Sequence, residues 1–187
     1  NNYVCFIYSF IHSRYNRKKR NKLFIDFATS NNYKAIFNNN TENIIKTHQF
    51  SLFKEGIFKN IERIVAGNIN NLKFILFDYK YIPFVSSKKG YLKQTIIILE
   101  TNKQIPEFKI TPENIFDKIK NAVGFSDINF DSNPEFSSAF KLIGKDEKQI
   151  REFFNPSLLT YFESFKNFTI ESVDNNLMFY IKNKLIQ

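Results

Sequence analysis

The sequence predicts an α+β domain: an antiparallel sheet built from hairpins, with helices packed on one face, preceded by an N-terminal helix. Three observations carry that expectation. Ile57 to Ile82 contains two long runs of β-branched and aromatic residues around the polar stretch Asn68 to Asn71, which reads as a hairpin. Thr111-Pro112-Glu113, Asn133-Pro134-Glu135 and Asn155-Pro156-Ser157 each place a capping residue before a Pro suited to a first helical position. Near the end, Phe168 to Val173 and Leu177 to Ile181 flank Asp174-Asn175-Asn176, a turn in which Asn tolerates positive φ.

The elements follow in order. An N-terminal helix is expected to about Ser30, because Leu23, Phe24, Phe27 and Ala28 fall at helical spacing and Asn31-Asn32-Tyr33 stops it. Residues 38–43 read as a solvated loop and Gln49 to Glu55 as a short strand, with Phe50 and Leu52 on one face. In Leu72 to Ile82, alternation puts Phe74, Leu76, Asp78 and Lys80 on one face and Ile75, Phe77, Tyr79 and Tyr81 on the other, the core candidate. Pro83 to Gly90 makes a turn. Tyr91 to Thr101 is a strand whose apolar run Ile96 to Leu99 suggests a central position covered on both sides. Pro112 to about Ala122 is expected as a helix, Pro134 to Ser137 as a short turn, and Ala139 to Ile143 as a strand. Helices are expected over Asp146 to Phe154 and Pro156 to Phe165. No internal repeat, heptad or long linker is present, so the chain divides into a membrane-proximal helix over 1–30 and a single α+β domain over 31–187.

Twenty-three Phe and nine Tyr without Trp, beside many Asn, Lys and Ile, look like the drift of an AT-rich genome, and lower the functional weight of any single Phe or Asn. The charge is more informative. Arg14, Arg17, Lys18, Lys19, Arg20 and Lys22 contribute +6 of the net +9, and the 165 positions after them hold 21 Lys and Arg against 18 Asp and Glu. The basic character belongs to one segment.

That segment follows the apolar run YVCFIYSFI, Tyr3 to Ile11, which as a helix rises about 14 Å, half of a hydrocarbon core. The order of apolar run and charges is the reverse of a cleavable signal peptide. Two arrangements remain: the last turns of a longer apolar anchor with a cytoplasmic basic flank, or an amphipathic helix on an anionic leaflet. Both place the six basic residues against a membrane surface; a helix docked on the domain with a solvated basic face is the plain structural alternative. Non-specific nucleic-acid binding by the same arm is disfavoured, since the near-neutral body offers no continuing basic track.

Chemistry-bearing patterns are sparse. One cysteine, Cys5, excludes an internal disulfide and any cysteine-cluster metal site, and His12 and His48 lie far apart. No phosphate-binding glycine loop or nucleophile motif is present. A metal site would have to use carboxylates, and the candidates are Asp78 within FDYKY and Asp127 and Asp131 within DINFDSNPEF. Asp78 more readily pairs with Lys80 or with a cross-strand base such as Arg63. Asp131 and Asn133 suit a turn before Pro134, and Glu135 suits a first helical turn. No catalytic residue and no cofactor is assigned.

RKKRNKLFIDFATSNNY, FSLFKEG, NIERIVAG, FILFDYKY, IPEFKITPE, DINFDSNPEFSSAFKLIGKDEKQIREFF and FTIESVDNNLMFYI together span most of residues 17–181. In these the chain resembles a family of bacterial membrane-anchored proteins of unknown function, with an N-terminal transmembrane segment and a soluble α+β domain. The resemblance implies an anchor upstream and supplies no activity or catalytic residue. The resulting expectation is a membrane-tethered, non-catalytic binding or accessory domain on the cytoplasmic side, with an anionic membrane surface as partner and an unknown protein as a further candidate. The alternatives are a purely cytoplasmic protein and a carboxylate-based, metal-dependent hydrolase.

Overall fold

The computed structural model of the chain describes residues 2–37, 41–84, 90–116 and 127–186, and gives the backbone alone for 2–14 and 41. Its longest hairpin joins β2 (Ile57–Ile69) to β3 (Leu72–Ile82). Asn70 and Asn71 close it with φ of 48° and 65°, the left-handed pair a two-residue turn requires. The other strands are β1 (Lys34–Ile36), β4 (Leu92–Glu100), β5 (Phe108–Pro112), β6 (Phe140–Gly144), β7 (Thr169–Val173) and β8 (Asn176–Tyr180). All eight form one antiparallel sheet in the order β1-β2-β3-β4-β8-β7-β5-β6. The central position expected for Ile96–Leu99 is met, with β3 on one side and β8 on the other.

The helices are α1 (Asn2–Ser30), α2 (Thr41–Thr47), α3 (Glu113–Phe116), α4 (Pro134–Ala139), α5 (Glu147–Phe153) and α6 (Pro156–Glu163). Asp146 caps α5 by accepting from Gln149 N at 3.0 Å, and Asn155 caps α6 by accepting from Leu158 N at 2.9 Å. Asn133 precedes Pro134 at the start of α4 without a side-chain cap, and its amide reaches Thr160 at 3.4 Å instead.

The register separates two faces. Ile97, Phe179, Ile170 and Ile110 are successive cross-strand partners and share one face. There α1 covers one half of the sheet through Phe24 and Ala28, packed with Val65 and Phe74. The other half lies under α4, α5 and α6, in a core of Phe108, Phe130, Phe136, Phe140, Phe154 and Phe162 with aliphatic neighbours. The opposite face carries Phe77, Tyr79 and Tyr81, fully buried as the alternation predicts. It is covered by α2 and by a 3-10 turn, Ser51–Lys54.

Three expectations are corrected here. Helices cover both faces of the sheet, because Ile44 and Ile45 of α2 join the Tyr79 core. The strand expected at 49–55 is that 3-10 turn: Phe50, Leu52 and Phe53 are all buried together, and a strand would send Phe53 to the opposite side from Phe50 and Leu52 only at the cost of exposing one set. The helix expected from Pro112 starts one position later, at Glu113 as α3, and Pro112 is itself the last residue of β5. It is tolerated because β7 pairs with β5 only as far as Ile110, so the missing N–H falls beyond that ladder. The loop expected over 38–43 gives way at Thr41 to α2. Residues 38–40, most of the expected 83–90 turn, and 117–126, which include the rest of the helix expected to about Ala122, lie outside the described residues.

Candidate functional site

Strand alternation sets Asp78 and Lys80 on the face under α1. A bulge in β2 between Glu62 and Val65, with Arg63 at φ 55°, adds one residue there, so Glu62 and Arg63 both reach the same face. From the helix, Arg20 stands four residues before Phe24 and eight before Ala28 and therefore lies on the buried stripe of α1.

These residues meet around Asp78, which is 5% exposed. Arg20 binds it as a fork, Nη2 to Oδ1 at 2.8 Å and Nε to Oδ2 at 2.9 Å. Arg63 Nη1 donates to Oδ2 at 3.2 Å, and the Thr95 hydroxyl donates to Oδ1 at 2.9 Å. Four donors fill the four acceptor positions of the carboxylate. Thr95 Oγ1 in turn accepts from Arg20 Nη2 at 2.7 Å and from Ile186 N at 3.0 Å, and Arg20 Nη1 donates to the Ile186 carbonyl. The pairing continues outward: Arg63 to Glu62 at 2.7 Å and Glu62 to Lys80 at 2.8 Å, with Arg63 Nε also on Asn21 Oδ1 at 2.7 Å. The result is an alternating chain, Arg20–Asp78–Arg63–Glu62–Lys80, joining α1, β2, β3 and the C-terminal tail. Burial alone would raise the Glu62 carboxyl, but Lys80 and Arg63 outweigh it and hold the group below its ordinary range.

Of the two partners expected for Asp78, Arg63 is found and Lys80 pairs with Glu62 instead. The basic collar is divided by the same geometry. Arg20 is a partly buried partner of Asp78 and is removed from the exposed set. Lys22 pairs with Asp26 at 3.1 Å on the surface. Arg17, Lys18 and Lys19 are exposed, and the Arg14 side chain lies outside the described residues. Arg17, Asn21, Phe37, Asn60, Glu62 and Arg63 line a shallow cleft of about 200 Å³ between α1 and the bulge. Among the described residues, no helix is long and apolar enough to cross a membrane.

The other acidic candidates do not join Asp78. Asp127 accepts from Leu142 N at 3.0 Å on β6, five strand positions from β3, or roughly 24 Å away at 4.8 Å per strand. Asp131 sits in the turn before Asn133, and Glu135 in the first turn of α4. No three His, Cys, Asp or Glu side chains come together as a metal site among the described residues. His48 stacks on Phe50, and burial lowers its pKa against a smaller opposing pull from Glu100. The side chains of Cys5 and His12 lie outside the described residues.

One buried acid escaped the sequence reading. Glu171 of β7 lies on the face opposite α1 and accepts from Ser51 N at 2.5 Å and from Ser51 Oγ at 2.8 Å. Lys109 Nζ donates to Ser51 Oγ at 2.6 Å. Ser51 and Lys109 have the contact of a nucleophile–base pair, yet the lysine is the donor and the serine proton points to Glu171. The hydroxyl is held between the Glu171 carboxylate and the Lys109 ammonium. A Glu in the apolar strand TIESV was the available signal, but its partners lie 120 and 62 positions away in the chain.

No family model matches the chain, and no curated protein matches it. Among solved structures it is similar to the crystal structure of the mycobacterial trehalose monomycolate transport factor A, TtfA, with a TM-score of 0.62 and 9% sequence identity, over 89% of this chain and 82% of that one. At that identity the likeness is one of fold: an eight-stranded antiparallel α+β domain whose arrangement recurs in a transport factor.

Proposed function

We propose that the chain is a non-catalytic accessory domain that acts by binding and is held at an anionic membrane surface through the N-terminal part of α1, with its body on the cytoplasmic side. The observation that carries the first half is the saturation of Asp78. The acid best placed for chemistry already accepts four intramolecular hydrogen bonds from Arg20, Arg63 and Thr95. A divalent cation there would have to displace two guanidinium groups. The fold shared with a transport factor is in keeping with an accessory role, by analogy of architecture. Arg17, Lys18 and Lys19, exposed on the N-terminal side of Arg20, support the second half.

Flotation with phosphatidylglycerol-containing and neutral vesicles tests the tether. The variant of choice is Arg17→Gln/Lys18→Gln/Lys19→Gln, because truncation at Leu23 would also remove Arg20 and open the Asp78 site. At about 1 kcal/mol per basic residue near an anionic leaflet, the triple variant is expected to bind up to roughly 100-fold more weakly. Failure of the unaltered chain to float with anionic vesicles would overturn the tether.

A further inference from the structure

The end of the sheet from which α1 projects carries an unusual surface. Ile57 and Ile82 are partners at the start of β2 and the end of β3, and β4 begins beside them. Phe58 is 68% exposed and Phe84 is 71% exposed, and Ile57 and Tyr91 are exposed beside them. Phe58 sits in a second β2 bulge at φ 52°, a conformation disfavoured for a bulky side chain, and gains no burial in exchange. Tyr91 lies under Lys80 Nζ, with 5.4 Å to the ring centroid, which connects this surface to the ion chain at Asp78.

The helix and this surface point the same way. Ala28 and Phe24 pack with Phe74 and Val65, while Arg20 reaches Asp78, so α1 runs antiparallel to β3. From Arg20 to Asn2 the helix rises about 27 Å, whereas β3 extends only about 14 Å from Asp78 to Ile82. The helix therefore overhangs the sheet by about 13 Å, at the segment whose sequence is the apolar run Tyr3 to Ile11.

Charge concentrates there as well. Segments 14–22, 54–63, 78–84 and 90–93 hold 11 Lys and Arg against 3 Asp and Glu, or +8 of the chain's +9. The three acids are Glu55, Glu62 and Asp78, and each is engaged, by the Tyr81 hydroxyl, by Lys80 and Arg63, and by Arg20 and Arg63. Aromatic and aliphatic side chains within a positive field, beside an overhanging helix that carries an apolar run, fit the headgroup region of an anionic bilayer.

We infer that the sheet end formed by Ile57, Phe58, Phe84 and Tyr91 is a second membrane-contact surface, which lies against an anionic bilayer alongside α1 and fixes the orientation of the domain. This inference rests on the proposed tether and adds to it that the body itself touches lipid. It can fail while the tether stands.

The absence of Trp makes the test direct. The full chain carrying F84W is mixed with phosphatidylglycerol vesicles, and I69W, at the exposed opposite end of β2, serves as the control. The expected result is a blue-shifted emission, protected from acrylamide, for F84W and no change for I69W. Phe58→Ser/Phe84→Ser is expected to weaken vesicle binding about tenfold in flotation. Silent F84W with normal flotation would overturn the inference and leave the tether. No flotation at all would overturn both. An F84W response to a single-stranded oligonucleotide but not to vesicles would overturn it in favour of base stacking.

Discussion

Asp78 and Glu171 are the two acids buried in the sheet among the described residues, one on each face, and they are neutralised differently. Asp78 is met by two guanidinium groups and a hydroxyl, and through them gathers a helix, a bulged strand and the C-terminal tail. Glu171 is met by a backbone N–H and a hydroxyl, with the Lys109 ammonium 3.9 Å away, and fastens the 3-10 turn over the opposite face. The first arrangement relies on full charges, and loss of the acid takes the carboxylate from Arg20 and leaves Arg63 with Glu62 alone. The second relies mostly on dipoles and loses less.

Substitutions should separate them. Asp78→Ala is expected to cost about 3–5 kcal/mol in urea unfolding, because Arg20 and Arg63 are left side by side in a nearly dry site. Glu171→Gln, which keeps an acceptor for Ser51, should cost about 1–3 kcal/mol. Equal losses would mean that the two acids are neutralised alike.

Acid sharpens it. Glu62 titrates below its ordinary value in the folded chain, so its stabilisation is present above the unfolded pKa and is lost as pH falls through the folded one. Unfolding free energy measured from pH 6 down to pH 3 should fall less steeply for Glu62→Gln than for the unaltered chain. The smallest change belongs to Arg17→Gln/Lys18→Gln/Lys19→Gln: unfolding stability within about 0.5 kcal/mol of the parent, since these side chains are exposed. A larger loss would mean that the collar is part of the fold.

Much of the sheet was legible because its signals are local. Period-two alternation in FILFDYKY, Asn-rich turns and capping residues before Pro156 and Glu147 depend on neighbours within a few positions. The 3-10 turn at Ser51 and β5 at Phe108 were not. Both owe their conformation to burial against distant strands, whereas the Thr-Pro-Glu step at the end of β5 does mark a helix start, that of α3.

The site followed the same division. Arg63 was a readable partner for Asp78, since hairpin pairing brings them together. Arg20 was not, because its contact spans 58 positions and its charge invited grouping with the exposed residues around it. Its spacing of four to Phe24 and of eight to Ala28 was the signal available. Charge composition counted Arg20 as surface, whereas helical phase assigns it to the core.

The geometry gives Asp78 the role of fastening α1 to the sheet. A double-mutant cycle of Arg20→Ala and Asp78→Ala, read by urea unfolding, tests it most directly. A coupling of about 2 kcal/mol or more is expected, with the double variant about as stable as Asp78→Ala alone. Additive losses, within about 0.5 kcal/mol, would contradict it.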